Sequence, residues 1–344
     1  MDETSTLTTK ETEELINTFK KHYKDSITNN EILKYNAEDQ PSGSLIQSFI
    51  KTLSAFIENS QEKTLQGLNI SVKDAANFLC KTIRNIDNLL PLGKSTLTLK
   101  AISEIMINMI NKHISKKLFE DFDVIKMNLV VTSNNLLVLS QLAKDKIFKF
   151  FSLSMKNDTN ILIHGNSLTV LYALLESKKK GFKFKVYVTE SRPLNSGLMF
   201  EKVLTENKID CRVILDSSVG YYMKDIDCVL VGSEVVAENG GILNSIGTYT
   251  LAICAKYFKK PFYVLAESLK FLRIYPLDQS DVISLCNLAL DKNSNKDDNT
   301  NVDSNDNSSI YVDYTPPEFI TLLFTDIGIF TPSAVSDELI QMFN

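Results

Sequence analysis

The chain lacks the residue patterns of several specialised protein classes. Tryptophan is absent, and only five cysteines and three histidines occur among 344 residues. No two cysteines form a Cys-X-X-Cys pair, which disfavours a disulfide framework and a zinc site. The cysteines are Cys80, Cys211, Cys228, Cys254 and Cys286. We interpret them as reduced, mostly buried thiols of an intracellular protein, and the scattered histidines predict no metal site.

Long apolar runs and an excess of positive charge are also missing. No uninterrupted apolar run approaches the roughly 20 residues that span a bilayer, and the polar, acidic first ten residues do not resemble a leader peptide. The formal net charge of −5 offers no basic surface for nucleic acid. We therefore expect a soluble cytosolic protein with neither a membrane nor a nucleic acid as a direct partner.

Residues 11–156 show the periodicity of amphipathic helices. Apolar residues recur three and four positions apart, which predicts one buried stripe along each helix. These stripes run through 46–57, 75–90, 102–110 and 136–151. They predict an all-helical domain over residues 1–156, whose last helix links it to the next domain.

From residue 161 the pattern changes to short apolar runs that alternate with helix-length segments. This rhythm is typical of βαβ units and a parallel sheet. It predicts strands over 161–164, 184–189, 211–215, 228–232 and 262–266, and helices over 167–180, 198–207, 219–224 and 245–258. We therefore predict an α/β protein in which residues 157–344 form a Rossmann-like domain. Polar clusters follow the strands, where open parallel sheets bind their ligands.

The segment 291–308 interrupts this pattern. Fourteen of its 18 residues are Asn, Asp or Ser, a composition that cannot bury enough apolar surface to offset its ordering entropy. It predicts a disordered insertion. Beyond it, apolar spacing predicts one helix over 319–324 and another over 335–343.

The strongest candidate site is the stretch 232–248, which reads GSEVVAENGGILNSIGT. We expect it to run from the end of a strand through a glycine-rich loop into the helix 245–258. Free backbone N–H groups at such a helix start can bind a phosphate. The stretch matches neither a Walker A loop nor a GxGxxG fingerprint. The alternative is that the glycines only form a tight turn and that Asn244 caps the helix.

Two further clusters follow predicted strands. Arg192, in the string ESRP, could hold a phosphate or a carboxylate in a bidentate contact, or it could be a solvated partner of an ion pair. His164 precedes Gly165 and Asn166, and it could be an acid–base group or a histidine whose hydrogen bonds are satisfied at the edge of the core.

Several strings together resemble one family. They are VYVTESRP, DSSVGYYM, VLVGSEVVAENGGILNSIGTY, KPFYVLAESLKF and VDYTPPEFITLLFTDIGIFTPSAVSDELI. They are similar to the alpha, beta and delta subunits of eukaryotic translation initiation factor 2B. The string ENGGILNSIGTY and the short N-terminus favour the alpha type. The resemblance covers roughly 161–282 and 310–344, so the helical half carries no comparably specific motif.

The resemblance implies a non-catalytic regulatory subunit of the guanine nucleotide exchange factor for initiation factor 2. It implies a homodimer through the α/β domain that bridges the beta, gamma, delta and epsilon subunits of the same factor. It also implies that the helical domain helps to sense initiation factor 2 phosphorylated on its alpha subunit, and so restrains exchange under stress. No cofactor is implied.

The same superfamily includes isomerases of methylthioribose-1-phosphate and ribose-1,5-bisphosphate, which use a cysteine and an aspartate. The matching positions here are Gly165 and Glu234. A glycine supplies no nucleophile or acid, and the longer side chain of Glu234 displaces its carboxylate, so the resemblance implies a relic pocket that binds a sugar phosphate or nucleotide without converting it. The implied pocket residues are Gly165, Asn166, Arg192, Glu234, Asn239, Gly240, Asn244, Gly247 and Thr248. The alternative is an active aldose–ketose isomerase of sugar phosphates.

Overall fold

The computed structural model describes residues 7–28, 42–83, 96–116, 121–287 and 311–343. The predicted insertion 291–308 and the end of the predicted stripe 75–90 lie outside these residues. Among the described residues five helices precede the first strand: α1 (Thr9–Thr28), α2 (Ser42–Asn59), α3 (Leu65–Thr82), α4 (Leu97–Lys116) and α5 (Phe122–Phe151). The four predicted stripes lie on α2 to α5, and no predicted stripe corresponds to α1.

Each of these helices buries one apolar stripe. In α2, the side chains of Phe49, Ile50 and Leu53 are completely buried, and they share one core with Phe19 of α1 and Leu79 of α3. Burial of such a side chain stabilises the fold by about 1.5–3 kcal/mol, so these stripes rather than helix propensity hold the region together.

The remaining chain contains eleven strands and six helices among the described residues. The strands are β1 (Thr159–His164), β2 (Phe184–Thr189), β3 (Asp210–Ile214), β4 (Cys228–Val231), β5 (Val235–Ala237), β6 (Ile242–Ser245), β7 (Phe262–Leu265), β8 (Phe271–Leu272), β9 (Val312–Thr315), β10 (Leu322–Phe324) and β11 (Ile329–Phe330). The helices are α6 (Leu168–Lys179), α7 (Ser196–Glu206), α8 (Val219–Tyr222), α9 (Thr248–Tyr257), α10 (Gln279–Asn287) and α11 (Val335–Phe343).

Seven strands form the predicted parallel sheet. Their order is β11-β10-β7-β4-β1-β2-β3, and β11 alone pairs antiparallel within this sheet. The order changes direction between β1 and β4, because the chain runs outward from β1 to β3 and then returns to β4 on the other side of β1. Open α/β sheets bind ligands beyond the carboxyl ends of the strands at such a switch point.

The stretch expected to be a glycine-rich loop is instead a β-hairpin. β5 and β6 pair antiparallel, and β8 and β9 flank them in a second sheet of order β8-β5-β6-β9. Val235, Val236, Ile242 and Leu243 are completely buried, so these short strands show no alternation of apolar and polar residues that would reveal them. As a consequence, α9 begins at Thr248 rather than at residue 245. Asn244 lies in β6, so the part of the alternative in which it caps the helix is wrong.

The helix predicted over 319–324 is also wrong. Pro317–Phe319 form one 3₁₀ turn, and the following residues form β10, which pairs in parallel with β7. A short apolar run is compatible with a helix or a buried strand, and here hydrogen bonding to the edge of β7 decides. The helix predicted over 335–343 is confirmed as α11.

The second sheet also joins the helical region to the α/β region. Leu97 and Ala101 of α4 pack into one apolar cluster with Val235, Leu243 and Leu272. The loop that carries Glu234, after β4, is therefore positioned by helix α4 as well as by the main sheet.

Helix α5 is apolar on more than its buried face. Its most apolar 18-residue window has a mean hydropathy of 1.2, and only 22% of that window is buried. By length and composition α5 could cross a bilayer, although polar and charged residues interrupt its apolar sequence. Core helices of globular proteins meet the same criterion, so the finding does not place the chain in a membrane.

Candidate functional site

The candidate site begins where β1 ends. Gly165 follows β1 with a φ of +77°, and its N–H donates to the Ser191 hydroxyl across 2.9 Å. A β-carbon at Gly165 would lie 2.9 Å from Ser245 Oγ, closer than real β-carbons approach. Position 165 therefore needs glycine for its backbone conformation and for its contact with β6. Asn166 follows it and is half-buried.

His164, at the end of β1, is buried and its ring is fully hydrogen-bonded. Nε2 lies 2.8 Å from the carbonyl oxygen of Ile246, and Nδ1 lies 2.6 Å from Thr189 Oγ1. Burial lowers the pKa of His164, although the Ile246 carbonyl and Asp216 oppose this. In the neutral ring Nε2 donates to Ile246 and Nδ1 accepts from Thr189. Of the two alternatives, the histidine with satisfied hydrogen bonds is the one observed.

A serine and an aspartate near His164 do not form a catalytic triad with it. Ser191 Oγ lies 3.4 Å from Nδ1, and Asp216 Oδ1 lies 3.9 Å from the same nitrogen. A triad needs the nucleophile and the carboxylate on opposite ring nitrogens, and here the second nitrogen donates to a backbone carbonyl. This geometry does not activate Ser191.

Arg192 lies at the rim of the site, in a turn that Asp216 orders. The backbone N–H groups of Ser191 and Arg192 donate to the two carboxylate oxygens of Asp216 across 2.9 and 2.8 Å. The Arg192 side chain is 65% exposed, and its Nε lies 3.3 Å from Glu190 Oε2. Arg192 is therefore a partially solvated ion-pair partner whose guanidinium can still meet a ligand from solvent.

Glu234 is buried where β4 leads into the hairpin. Its N–H donates to the carbonyl of Leu243, and its own carbonyl accepts from the hydroxyl of Thr98 in α4 across 2.7 Å. Because β5 and β6 pair from Val235 and Leu243 onward, Glu234 lies beside Asn244. The ideal β-carbon of Gly165 would lie 3.9 Å from Asn244 Nδ2, which brings these two predicted site residues together.

Asn239 and Gly240 lie at the opposite end of the hairpin. Asn239 accepts from Gly241 N–H across 3.0 Å and donates to the Tyr314 hydroxyl across 2.6 Å. Gly240 has a φ of +81°, and a β-carbon there would lie 2.1 Å from the carbonyl oxygen of Pro332. Both residues belong to a tight turn, which is the alternative to a phosphate-binding loop that the glycines allow. Their assignment to a ligand pocket stays a prediction.

The start of α9 closes the site, and its amides already bind an internal carboxylate. Gly247 has a φ of +104°, and a β-carbon at this position would lie only 2.9 Å from the His164 ring, so glycine leaves the room that the ring needs. The N–H groups of Gly247 and Tyr249 donate to Asp313 Oδ2 across 2.8 and 3.0 Å. Thr248 donates to the Ser245 carbonyl and accepts from Asn244 Nδ2. Asp313 therefore takes the position at which a helix start would receive a phosphate.

No sequence pattern predicts a role for Asp313. It is 5% exposed, and burial raises its pKa to about 7 against the opposing donors at Gly247 and Tyr249. Among the described residues its Oδ1 has no hydrogen-bond partner. The string VDYTPP contains this aspartate, but only the pairing of β9 with β6 brings it to α9.

A second group that sequence reasoning missed is a buried charge cluster after β7. Glu267 accepts from Thr169 Oγ1 across 2.9 Å, and its Oε2 lies 3.5 Å from Lys270 Nζ. Burial alone would raise the pKa of Glu267, but Lys270, Lys144 and the Thr169 hydroxyl lower it below its usual range. Burial also lowers the pKa of Lys144. The cluster joins α5, α6 and the end of β7.

The thiols of Cys211, Cys228 and Cys254 are not activated as nucleophiles, because burial raises the pKa of each. Burial raises the pKa of both Cys211 and Cys228 to about 12. The site thus presents a neutral histidine, buried carboxylates and a rim arginine around a glycine. This arrangement is suited to holding a polar ligand, and no group in it is positioned as an activated nucleophile.

The chain is similar in sequence to proteins of one family over most of its length. A family model described as the Initiation factor 2 subunit family matches residues 38–332. The chain is 38% identical over 300 residues to translation initiation factor eIF2B subunit alpha of Dictyostelium discoideum, a match that covers 86% of this chain and 90% of the relative. It is 41% identical over 204 residues to the eIF2B subunit alpha of Caenorhabditis elegans, covering 58% and 64%.

More distant similarities extend to enzymes and to solved structures. The chain is 37% identical over 129 residues to ribose 1,5-bisphosphate isomerase of Methanocaldococcus jannaschii, covering 38% of this chain and 42% of the enzyme. Its fold matches a chain of the tetrameric eIF2B-beta2-delta2 complex from C. thermophilum with a TM-score of 0.70, 16% identity and coverage of 98% and 99%. At that identity the likeness shows the fold alone.

Proposed function

The chain belongs to the Initiation factor 2 subunit family, and from this premise we propose that it acts as the alpha-type regulatory subunit of the exchange factor eIF2B. The observation that carries the proposal is the 38% identity to eIF2B subunit alpha over 300 residues. A match of this length cannot fall within the helical region or the α/β region alone. The similarity therefore includes both the sheet scaffold and helices that precede it.

The proposed partners are the other subunits of the same factor. A relative of the same fold assembles as the eIF2B-beta2-delta2 tetramer, which supports association with the beta and delta subunits. We further propose a homodimer through the α/β domain, an assembly that includes the gamma and epsilon subunits, and contact of the helical region with initiation factor 2 phosphorylated on its alpha subunit. The proposed location is the cytosol, and the proposed role is restraint of exchange under stress.

The site geometry supports binding without turnover. At Gly165 no side chain can attack or protonate a substrate, and the nearby Ser245 hydroxyl would clash with any side chain introduced there. The nearby histidine keeps both ring nitrogens engaged within the protein. We therefore propose that the chain is not an enzyme and that the isomerase function of its distant relatives is lost.

A sugar phosphate or nucleotide is the proposed ligand of the region around Gly165, Asn166, Glu234, Asn244 and Thr248. The amides of Gly247 and Tyr249 already donate to Asp313, so they are not free for a phosphate. The phosphate must then be held chiefly by side chains. Arg192 is the cation at the rim that can supply a bidentate contact.

Affinity purification of the tagged full-length chain from its own cells tests the proposed function. We expect four larger partners to co-elute in one assembly on sizing, with initiation factor 2 joining when it is phosphorylated. Mass spectrometry of the peak identifies them. Elution of the chain without any of these partners would refute the regulatory-subunit proposal.

Calorimetric titration with ribose 1,5-bisphosphate, together with an isomerase assay, tests the site. We expect binding without conversion, and an affinity at least about tenfold lower for Arg192→Ala, because a charge-assisted bidentate contact contributes about 1.5–3 kcal/mol. The matched control is Arg212→Ala, which removes an exposed arginine on β3 that packs on Tyr222. Turnover that is abolished by Glu234→Ala would favour the isomerase alternative.

A further inference from the structure

Positive charge is concentrated at one edge of the main sheet. The amino ends of β1 and β2 and the carboxyl ends of α5 and α6 meet at this edge. The segments 149–158 and 176–183 carry six lysines and two carboxylates, a net charge of +4, whereas the whole chain carries −5. All six lysines are exposed, and we call them the lysine patch: Lys149, Lys156, Lys178, Lys179, Lys180 and Lys183.

Backbone and side-chain contacts hold the two segments together. The N–H of Asp158 donates to the carbonyl of Lys183 across 2.7 Å, and the N–H of Lys183 donates to Asn157 Oδ1 across 3.0 Å. The Nζ of Lys180 lies 4.5 Å from the centre of the Phe148 ring, in the last turn of α5. These contacts bring the lysines of both segments onto one continuous surface.

The helix ends account for only part of the lysine patch. A lysine in the last turn of a helix is stabilised by the helix dipole, which applies to Lys149 in α5 and to Lys178 and Lys179 in α6. Lys156 and Lys183 lie in the loops before β1 and β2, outside any helix. The positive surface therefore extends beyond what the stability of the two helices explains.

Few carboxylates offset this charge. Of the two within the segments, Glu176 pairs with Lys179 across 2.5 Å, and Asp158 is exposed just before β1. Toward β4, the carboxylate of Asp227 accepts from the N–H of Asn160 across 2.7 Å. The positive surface therefore ends between β1 and β4, and it covers the ends of α5 and α6.

An exposed leucine lies among these lysines. Leu153 is 77% exposed, in the turn between Lys149 at the end of α5 and Lys156 before β1. Its N–H donates to the Phe150 carbonyl across 3.2 Å, which holds the turn in place. A partner that brings carboxylates to the lysines and an apolar side chain to Leu153 would satisfy both features of this surface.

The composition of the surface favours a protein partner. Single-stranded nucleic acid is bound by exposed aromatic side chains and by arginine, but the two segments contain no arginine and their phenylalanines are buried or half-buried. A membrane surface is bound by several apolar side chains beside the basic ones, and Leu153 is the one exposed apolar side chain of these segments. We propose that the lysine patch and Leu153 bind an acidic segment of a partner protein.

Fluorescence anisotropy with the full-length chain tests the proposal. The probe is a labelled peptide of glutamates around one central leucine. We expect Lys156→Glu/Lys183→Glu to weaken its binding about tenfold, because two attractions become repulsions. The matched control is Lys63→Glu/Lys73→Glu, which makes the same change in net charge at exposed positions of the helical region. Both variants should melt at the wild-type temperature. Equal affinities of the two variants, or no binding of the peptide to wild type, would overturn the proposal.

Salt and the leucine contact give a second test. Exposed charges are screened over about 8 Å at physiological salt, so peptide affinity should fall about tenfold between about 0.05 and 0.3 M salt. Leu153→Ser should weaken binding of the leucine peptide about threefold and leave a peptide with serine at that position unaffected. Affinity that does not change with salt would contradict the proposal.

Two other polyanions complete the experiment. The same anisotropy assay with a labelled oligouridine RNA, and flotation with vesicles that contain about 30% phosphatidylserine, compare the other classes of partner. We expect both to bind more weakly than the peptide. Tighter binding of either one, lost in Lys156→Glu/Lys183→Glu but kept in the control variant, would assign the surface to nucleic acid or to a membrane and overturn the proposal.

Discussion

Replacing Asp313 by asparagine should change how the stability of the protein depends on pH. Asp313 is buried, with one carboxylate oxygen bonded to the amides that begin α9 and the other without a partner in the part of the chain that the structure describes. Asparagine has nearly the same shape and keeps an oxygen to accept from Gly247 and Tyr249. It removes the ionisation that burial disfavours, so the comparison isolates the charge.

The magnitude follows from the pKa. A rise from 3.8 to about 7 corresponds to about 4 kcal/mol of difference between the protonated and ionised folded protein. Because the folded pKa lies above the unfolded one, the stability contributed by protonated Asp313 is fully present below about pH 4 and is lost as the pH rises through about 7. Between these values the free energy of unfolding loses about 1.4 kcal/mol per pH unit from this group.

Urea unfolding at constant ionic strength, at several pH values between 5 and 8.5, measures this difference. Relative to wild type, the free energy of unfolding of Asp313→Asn should rise by about 1.4 kcal/mol per pH unit up to pH 7 and then level off. The buried amide hydrogens of asparagine add a penalty of about 1–3 kcal/mol that does not depend on pH. Asp210→Asn, at a position whose side chain is 67% exposed, controls for the loss of one negative charge. A difference that stays constant from pH 5 to 8 would refute the reasoning.

Three further substitutions test other contacts. Gly165→Ala should destabilise the protein by about 1–3 kcal/mol, because alanine is strained at the φ of +77°. Thermal unfolding measures this, and an unchanged melting temperature would contradict the prediction. Thr98→Val should cost about 1 kcal/mol by removing the hydrogen bond from α4 to the Glu234 carbonyl, and a neutral result in denaturant would contradict that contact. Glu267→Gln should lower the free energy of unfolding most above about pH 4.5, and progressively less as the pH falls through the lowered pKa of Glu267. If the stability difference between wild type and variant grew on acidification, this prediction would be wrong.

The backbone amides at the start of α9 already bind a carboxylate, which limits where a ligand phosphate can bind. A glycine before a helix predicts a phosphate-binding position from sequence, because the free amides of a helix start attract an anion. Here an anion is present, but Asp313 of the same chain supplies it. A ligand phosphate must either bind elsewhere in the site or displace this carboxylate, and protonation of Asp313 near pH 7 would make displacement easier.

Local patterns in the sequence were enough to predict most of the architecture. The helical stripes before residue 156 and the five parallel strands of the main sheet depend on side chains within a few residues of each other. The resemblance to the family rests on ordered strings of the same short range. The buried, hydrogen-bonded state of His164 was among the alternatives that residue type and position alone allowed.

Only the tertiary structure decided the second sheet, the strand β10 and the internal anion of the site. β5 and β6 are short and buried on both faces, so no periodicity distinguishes them from a loop. Asp313 reaches the amide of Gly247 across 66 positions of sequence, through strand pairing that no local pattern encodes. Local spacing records which face of an element is buried. Which distant segment completes a sheet or satisfies a helix end depends on long-range packing, and it becomes visible only when the chain is folded.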